Sequence, residues 1–216
     1  MRPLLFTGGM FMDFDWEYLL TLAGNRDFWA ASLLVAWLST LTWLIGSFLG
    51  LFVALARTTG PAWLKQVAGT YIWFFRSLPL LVLLIFVYNL PQALPGLQPI
   101  LSNPFWAGLI ALVISETAYL AEIHRGGLLA VEKGQHEAAR ALGIKPFGKY
   151  RHIVVPQAIR VALPALGNQF ITIVKLTSLV SAISLAEILI VGERLYTQNF
   201  KVLETLLGVA FYYVLI

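Results

Sequence analysis

The sequence predicts an all-α integral membrane protein of about five transmembrane helices, with short helices lying against its cytoplasmic face. Of its 216 residues, 59% are hydrophobic and 12% charged, about half the charged fraction of an average soluble domain. Phe28 to Ala56 and Ser77 to Ser115 contain no Asp, Glu, Lys or Arg, and a spanning helix needs only about 20 apolar residues. One long polar segment, His124 to Arg160, interrupts the apolar runs and belongs in water or against a soluble partner.

The opening residues, with Asp13, Asp15, Glu17 and Asp27, lack the basic start, apolar core and small-residue cleavage site of a signal peptide. They read as an ordered interfacial or external lead-in. The first crossing, about 28–56, carries Gly46 and Gly50 at GxxxG spacing, which most often marks ordinary close packing. Thr58-Thr59-Gly60-Pro61 then breaks the helix. The second crossing is expected at about 71–90, with Arg76 near its start and Pro79 one turn inside. Pro91, Pro95, Gly96, Pro99 and Pro104 forbid one continuous helix in the stretch that follows, so an apolar external loop is expected there.

The third crossing, about 105–123, carries Glu116 and Glu122. The fourth, about 164–190, carries Lys175 and Glu187. The fifth starts near Leu203; from Thr205 about 12 residues remain, roughly 18 Å of helix against a core of roughly 30 Å, so it is expected to be cut short. With Met1 outside, ten Lys and Arg fall on the inner side and only Arg2, Arg26, Arg194 and Lys201 on the outer. That asymmetry puts the polar loop of about 126–160 in the cytoplasm, and it explains the formal charge of +4 without nucleic acid. No internal repeat is evident, and residues 1–216 read as a single transmembrane domain.

Within the loop, Gly134 to Ala141 is good helix sequence, Gly143 suits a helix end, and Pro146 prevents smooth continuation. Glu137-Ala138-Ala139, then Gly143, then Ile153-Val154-Val155-Pro156 resembles the EAA loop of ABC-importer permeases. Phe75-Arg76-Ser77-Leu78-Pro79-Leu80 and Ala118-Tyr119-Leu120-Ala121-Glu122-Ile123-His124-Arg125-Gly126-Gly127 are similar to segments of the polar-amino-acid branch, which includes glutamate/aspartate permeases. Lys175-Leu176-Thr177-Ser178-Leu179 resembles that branch's Lys-Asp-Thr-Ser-Leu, departing at Leu176, where an acidic or amide residue is common.

The resemblance implies a type I ABC importer permease fold in a bacterial inner membrane. It also implies an amino-acid substrate, two cytoplasmic ATP-binding subunits that hold ATP and Mg, a second identical or related permease, and an external solute-binding protein. Glu137, Ala138, Ala139, Gly143 and Pro156 would then form the ATPase coupling surface. The chain itself has no GxxxxGK[ST] sequence, no cysteine and no G-x-S-x-G elbow, so neither a nucleotide site nor nucleophilic catalysis is expected of it. A passive channel or a membrane-embedded enzyme with a helical cytoplasmic loop is the alternative.

Candidate pathway residues follow from the cost of intramembrane charge, about 2.5 kcal/mol or more. Asn168, Thr172, Lys175 and Ser178 recur at spacings of four, three and three, so they share one face of a helix. Lys175 would receive a substrate carboxylate, or else pair with Glu116 or Glu187 or snorkel. Glu116 would receive an ammonium, or else pair with Lys175. Glu122, His124 and Arg125 suit gate or interface packing, and Glu187 suits an interfacial or paired position. His136 and His152 lack companions for a metal. Trp29, Trp73 and Tyr88 suit membrane-interface anchors.

Overall fold

The computed structural model describes residues 14–216; Arg2 and Asp13 lie outside them. Every regular element among the described residues is helical. The helix α1, Trp16–Leu22, starts where the Asp15 carboxylate accepts the Tyr18 N–H at 2.8 Å. Asn25 caps the next helix in the same manner, and α2 then runs through Arg26–Thr59. Its 34 residues give about 51 Å of helix, well over the thickness of a hydrocarbon core.

Gly60 and Pro61 end α2, and α3, Ala62–Ser77, follows. The expected single crossing at 71–90 is corrected here. The chain bends by 100° between α3 and α4, Leu80–Asn89. Proline forces the residue before it out of the helical region, and Leu78 is accordingly extended at ψ 128°. Pro79 is therefore the hinge of two helices and not a residue one turn inside one. Residues 90–103 form two 3₁₀ turns and the single-turn α5, Gln98–Leu101, consistent with the proline spacing.

The central helix α6, Pro104–Ala130, has Asn103 as its cap. It packs along α2 because small residues line the contact. A Cβ added at Gly50 would lie 2.9 Å from the Ala121 amide nitrogen, and one at Gly46 would lie 3.0 Å from Leu120. The GxxxG pair is thus intramolecular packing. The contact with α9 is closer still, since a Cβ at Gly127 would lie within 2.4 Å of the Ala158 carbonyl oxygen.

After α7, Lys133–Ala141, comes the short α8, Pro146–Lys149, then a π turn over Tyr150–Val154 and α9, Val155–Leu176. Together with a 3₁₀ segment over Thr177–Ile183 they form one helical run of 38 residues from Pro146 to Ile183. The fourth crossing was expected to start near residue 164, after a loop of about 126–160. Pro156 and Pro164 instead both lie within the run. The wider π turn sits directly before Pro156, where the proline ring would otherwise press on the carbonyl four residues earlier.

The run stops at Ser184, which is left-handed at φ 65°, seven residues short of the expected end at 190. Two shorter helices follow, α10 at Ile188–Asn199 and α11 at Val202–Leu215. α10 packs against α2 and α11, and α11 packs against the lead-in helix α1, where the Tyr212 hydroxyl donates to the Leu22 and Ala23 carbonyls at 2.9 and 3.0 Å. By length and composition α2, α6 and the 146–183 run can each cross a membrane, and the bent pair α3/α4 makes a fourth candidate. Trp29 and Trp73 are exposed on the outer surface of the bundle.

Candidate functional site: a polar cleft at the helix bend

The 100° bend at Pro79 opens a cleft of about 490 Å³ between the α3–α4 junction, α6 and α9. This is the size of a small-molecule site. Its floor is Glu116, 1% exposed, whose Oε2 accepts the Gln169 Nε2–H at 2.6 Å. Ser115, Tyr119, Thr172 and Ser77 supply hydroxyls to the walls. Arg76 stands at the rim with its guanidinium 5.2 Å from the centre of the Tyr119 ring, a cation–π contact. Among the described residues no carboxylate pairs with Arg76. The first turn of α4, beginning at Leu80, also opens on the cleft; its free N–H groups favour negative charge.

Of the residues expected to line a pathway, the fold brings Glu116 and Thr172 into this cleft and leaves the others outside. Lys175 is exposed and forms no ion pair among the described residues, so the alternative of a pairing with Glu116 or Glu187 is absent. The polar set does share a face, but the side of α9 that meets the cleft is set by Gln169, Thr172, Leu176 and Leu179. Lys175 and Ser178 do not line it. Thr172 and Ser178 donate to the carbonyls of Asn168 and Lys175, at 3.1 and 2.8 Å, so their own backbone already satisfies them.

Gln169 and Arg76 were not singled out as cleft residues. An amide carries no charge signal, and Arg76 reads as a helix-start cation until the bend brings it to the rim of the cleft. Its place three residues before Pro79 was the available clue. Glu187, by contrast, is fully buried as the cap of α10. It accepts the Leu189 and Ile190 N–H groups at 2.8 Å each and the Tyr213 hydroxyl at 2.5 Å.

A second functional surface lies at the loop end of the bundle. There Glu122 takes Arg57 Nη1 at 2.6 Å and Arg125 Nη2 at 2.7 Å, tying α2 to α6. His124 is buried and bonded to Ser47 at 2.9 Å. Beyond them α7 ends in a tight turn at Gly143, φ 71°, where the Ile144 N–H returns to the Ala139 carbonyl at 3.0 Å. A side chain here would be strained, which explains the glycine. Glu137, Ala138, Gly143 and Pro156 are exposed around this turn. Ala139 is not available for docking, being 1% exposed: it lies one residue, and so about 100° of helix, round from Ala138. Leu142 and Phe147, 77% and 75% exposed, were missed because isolated apolar residues in a polar loop look like local packing. No group of His, Cys, Asp or Glu that could hold a metal occurs among the described residues.

The family described as the inner membrane component of binding-protein-dependent transport systems matches residues 46–216. The chain belongs to this family. Its multi-pass, inner-membrane, ABC-importer permease character, implied above by resemblance, is thereby established. The glutamine transport system permease protein of Escherichia coli is 35% identical over 211 residues, covering 95% of this chain and 92% of that protein. The octopine transport system permease protein of Rhizobium meliloti is 41% identical over 165 residues, covering 74% and 67%. A crystal structure of an amino acid ABC transporter with histidines superposes with a TM-score of 0.79 at 35% identity, covering 93% of this chain and 91% of that one. The methionine transporter in an inward-facing form shares the fold at TM-score 0.69 and 20% identity.

Proposed function

We propose that this chain is the membrane-spanning permease subunit of an ATP-driven importer of polar amino acids, and that the cleft at the α3–α4 bend is where it meets its substrate. The observation that carries the reading is the pairing of opposite charges in one cleft, with Glu116 at the floor and Arg76 with the start of α4 at the rim. An α-amino acid presents an ammonium and a carboxylate a few bonds apart, and these groups match that arrangement. The family relationship and the names of the relatives support the substrate class.

In this reading the N-terminus lies outside and the α7 turn lies in the cytoplasm, as the distribution of Lys and Arg favours. Glu137, Ala138, Gly143 and Pro156 form the polar surround of the ATPase contact, with Leu142 and Phe147 as its apolar knobs. Two cytoplasmic subunits bind ATP and Mg. A second permease, identical or related, covers the exposed face of α9 that carries Asn168 and Lys175, and an external solute-binding protein delivers the amino acid. Alternating access follows when ATP binding and hydrolysis shift the population between outward-open and inward-open states.

The test is uptake by the complex reconstituted in vesicles with its ATPase and binding protein. Glu137→Arg is expected to abolish substrate-stimulated ATP hydrolysis while membrane insertion survives. Coupling through α7 is wrong if that variant hydrolyses ATP as wild type does. Glu116→Gln is expected to cut uptake with complex assembly unchanged, and normal uptake would remove the cleft from the pathway.

A further inference from the structure

We infer that the cleft accepts amino acids with an uncharged polar side chain, of the carboxamide or hydroxyl class, and discriminates against cationic ones; the inference rests on the reading of this cleft as the substrate site. The ground is a count of charges. Among the residues lining the cleft there is one carboxylate, Glu116, and one cation, Arg76. The backbone ammonium and carboxylate of any amino acid use both. A guanidinium or ammonium on the side chain would then have to be desolvated without a partner, a cost of several kcal/mol. A side-chain carboxylate would leave one of two negative groups unpaired beside Glu116.

What remains in the cleft suits a neutral polar group. Ser77, Tyr119 and Thr172 donate to the Trp73, Arg76 and Asn168 carbonyls and so turn acceptor lone pairs to the cleft, Ser115 adds a further hydroxyl, and Gln169 keeps acceptor capacity on its oxygen. An amide side chain, with two donors and one acceptor oxygen, can be satisfied by such a set. Lys175 is not among the residues that line the cleft.

The neighbouring surface of α3 carries further positive charge. There a hollow of about 410 Å³ is lined by Arg57 and Lys65 together with Gln66, Thr70 and Trp73. Lys65, Gly69 and Arg76 follow one another at helical spacings of four and seven, so this hollow and the rim of the cleft share a side of α3. The neighbouring carboxylate, Glu122, is already committed to Arg57 and Arg125. Lys65 and Arg76 on this side of α3 give the surroundings of the cleft a positive field, which favours the α-carboxylate and opposes a positive side chain.

The decisive experiment is equilibrium binding of radiolabelled glutamine to the purified permease–ATPase complex without the solute-binding protein, followed by competition. Unlabelled glutamine, asparagine and threonine are expected to displace the label at least about tenfold better than arginine or lysine. Thr172→Asp, which adds a second carboxylate at an exposed cleft position, is expected to improve arginine by about tenfold or more relative to glutamine. Arginine competing as well as glutamine in the wild type, with that binding lost in Glu116→Gln, overturns the side-chain class while leaving the site intact. Binding of both that is indifferent to Glu116→Gln overturns the site itself. Melting temperatures of each variant separate these outcomes from misfolding.

Discussion

Two buried carboxylates, Glu187 at the α10–α11 corner and Glu116 in the cleft, occupy opposite kinds of surroundings. Glu187 is enclosed and accepts three hydrogen bonds, two from the backbone that it caps and one from Tyr213. Glu116 is equally shielded by its own protein, yet it accepts one, from Gln169, and borders open volume. A carboxylate has about four acceptor sites. The first residue has spent most of its capacity on holding the fold, and the second keeps most of it unspent where a ligand can arrive. Intramembrane charge alone does not distinguish them; saturation does.

The comparison can be broken or sharpened by substitution. The largest effect is expected at Glu116→Ala, which should reduce uptake by about 30-fold or more, as truncating one partner of a buried charge contact costs about 2–5 kcal/mol. Its melting temperature should stay within about 2 °C of wild type. Glu187→Ala should do the reverse. It leaves two N–H groups and a hydroxyl unmatched, so stability should fall by about 1–3 kcal/mol, or some 3–10 °C in a detergent melt, with uptake per folded complex unchanged. If Glu187→Ala melts normally and stops transport, the contrast is wrong.

Gln169→Leu should raise the concentration for half-maximal uptake by about threefold, the loss of one orienting hydrogen bond, and should lower the melt by a few degrees, since it leaves the buried Glu116 carboxylate without that partner. The smallest effect concerns a third carboxylate, outside the membrane helices. The Lys201 ammonium, 2.5 Å away, together with the Tyr18 N–H, holds Asp15 below the usual carboxylate range. A depressed acid stabilises above its unfolded value, near 3.9, and loses that contribution as pH falls through the lower folded value. Asp15→Asn should therefore melt about 1–2 °C below wild type at pH 7, and the gap should close near pH 3 or below.

The long elements were legible because their cause is local. A charge-free run such as 28–56 has no alternative to α2, and Gly143 marks the end of α7 through its own backbone freedom. Glu116 was legible through the cost of its charge. Lys175, read by the same rule, does not line the cleft, because helical spacing says which residues share a face and not which neighbour that face meets. The bend was written in Leu78-Pro79, but a proline one turn inside a helix and a proline between two helices look alike until α4 finds its packing against α6. Gln169 gave no sign, since its role exists only once α9 lies beside α6.

The continuity of the 146–183 run joins the α7 turn to the cleft through one element. From Pro146, beside the α7 turn, to Gln169 is 23 residues of nearly unbroken helix, about 35 Å. Tilting such a rod by about 5° about its loop end sweeps Gln169 sideways by about 3 Å, more than the length of its 2.6 Å bond to Glu116. A small tilt about the loop end is thus enough to make or break the single hydrogen bond between Gln169 and Glu116.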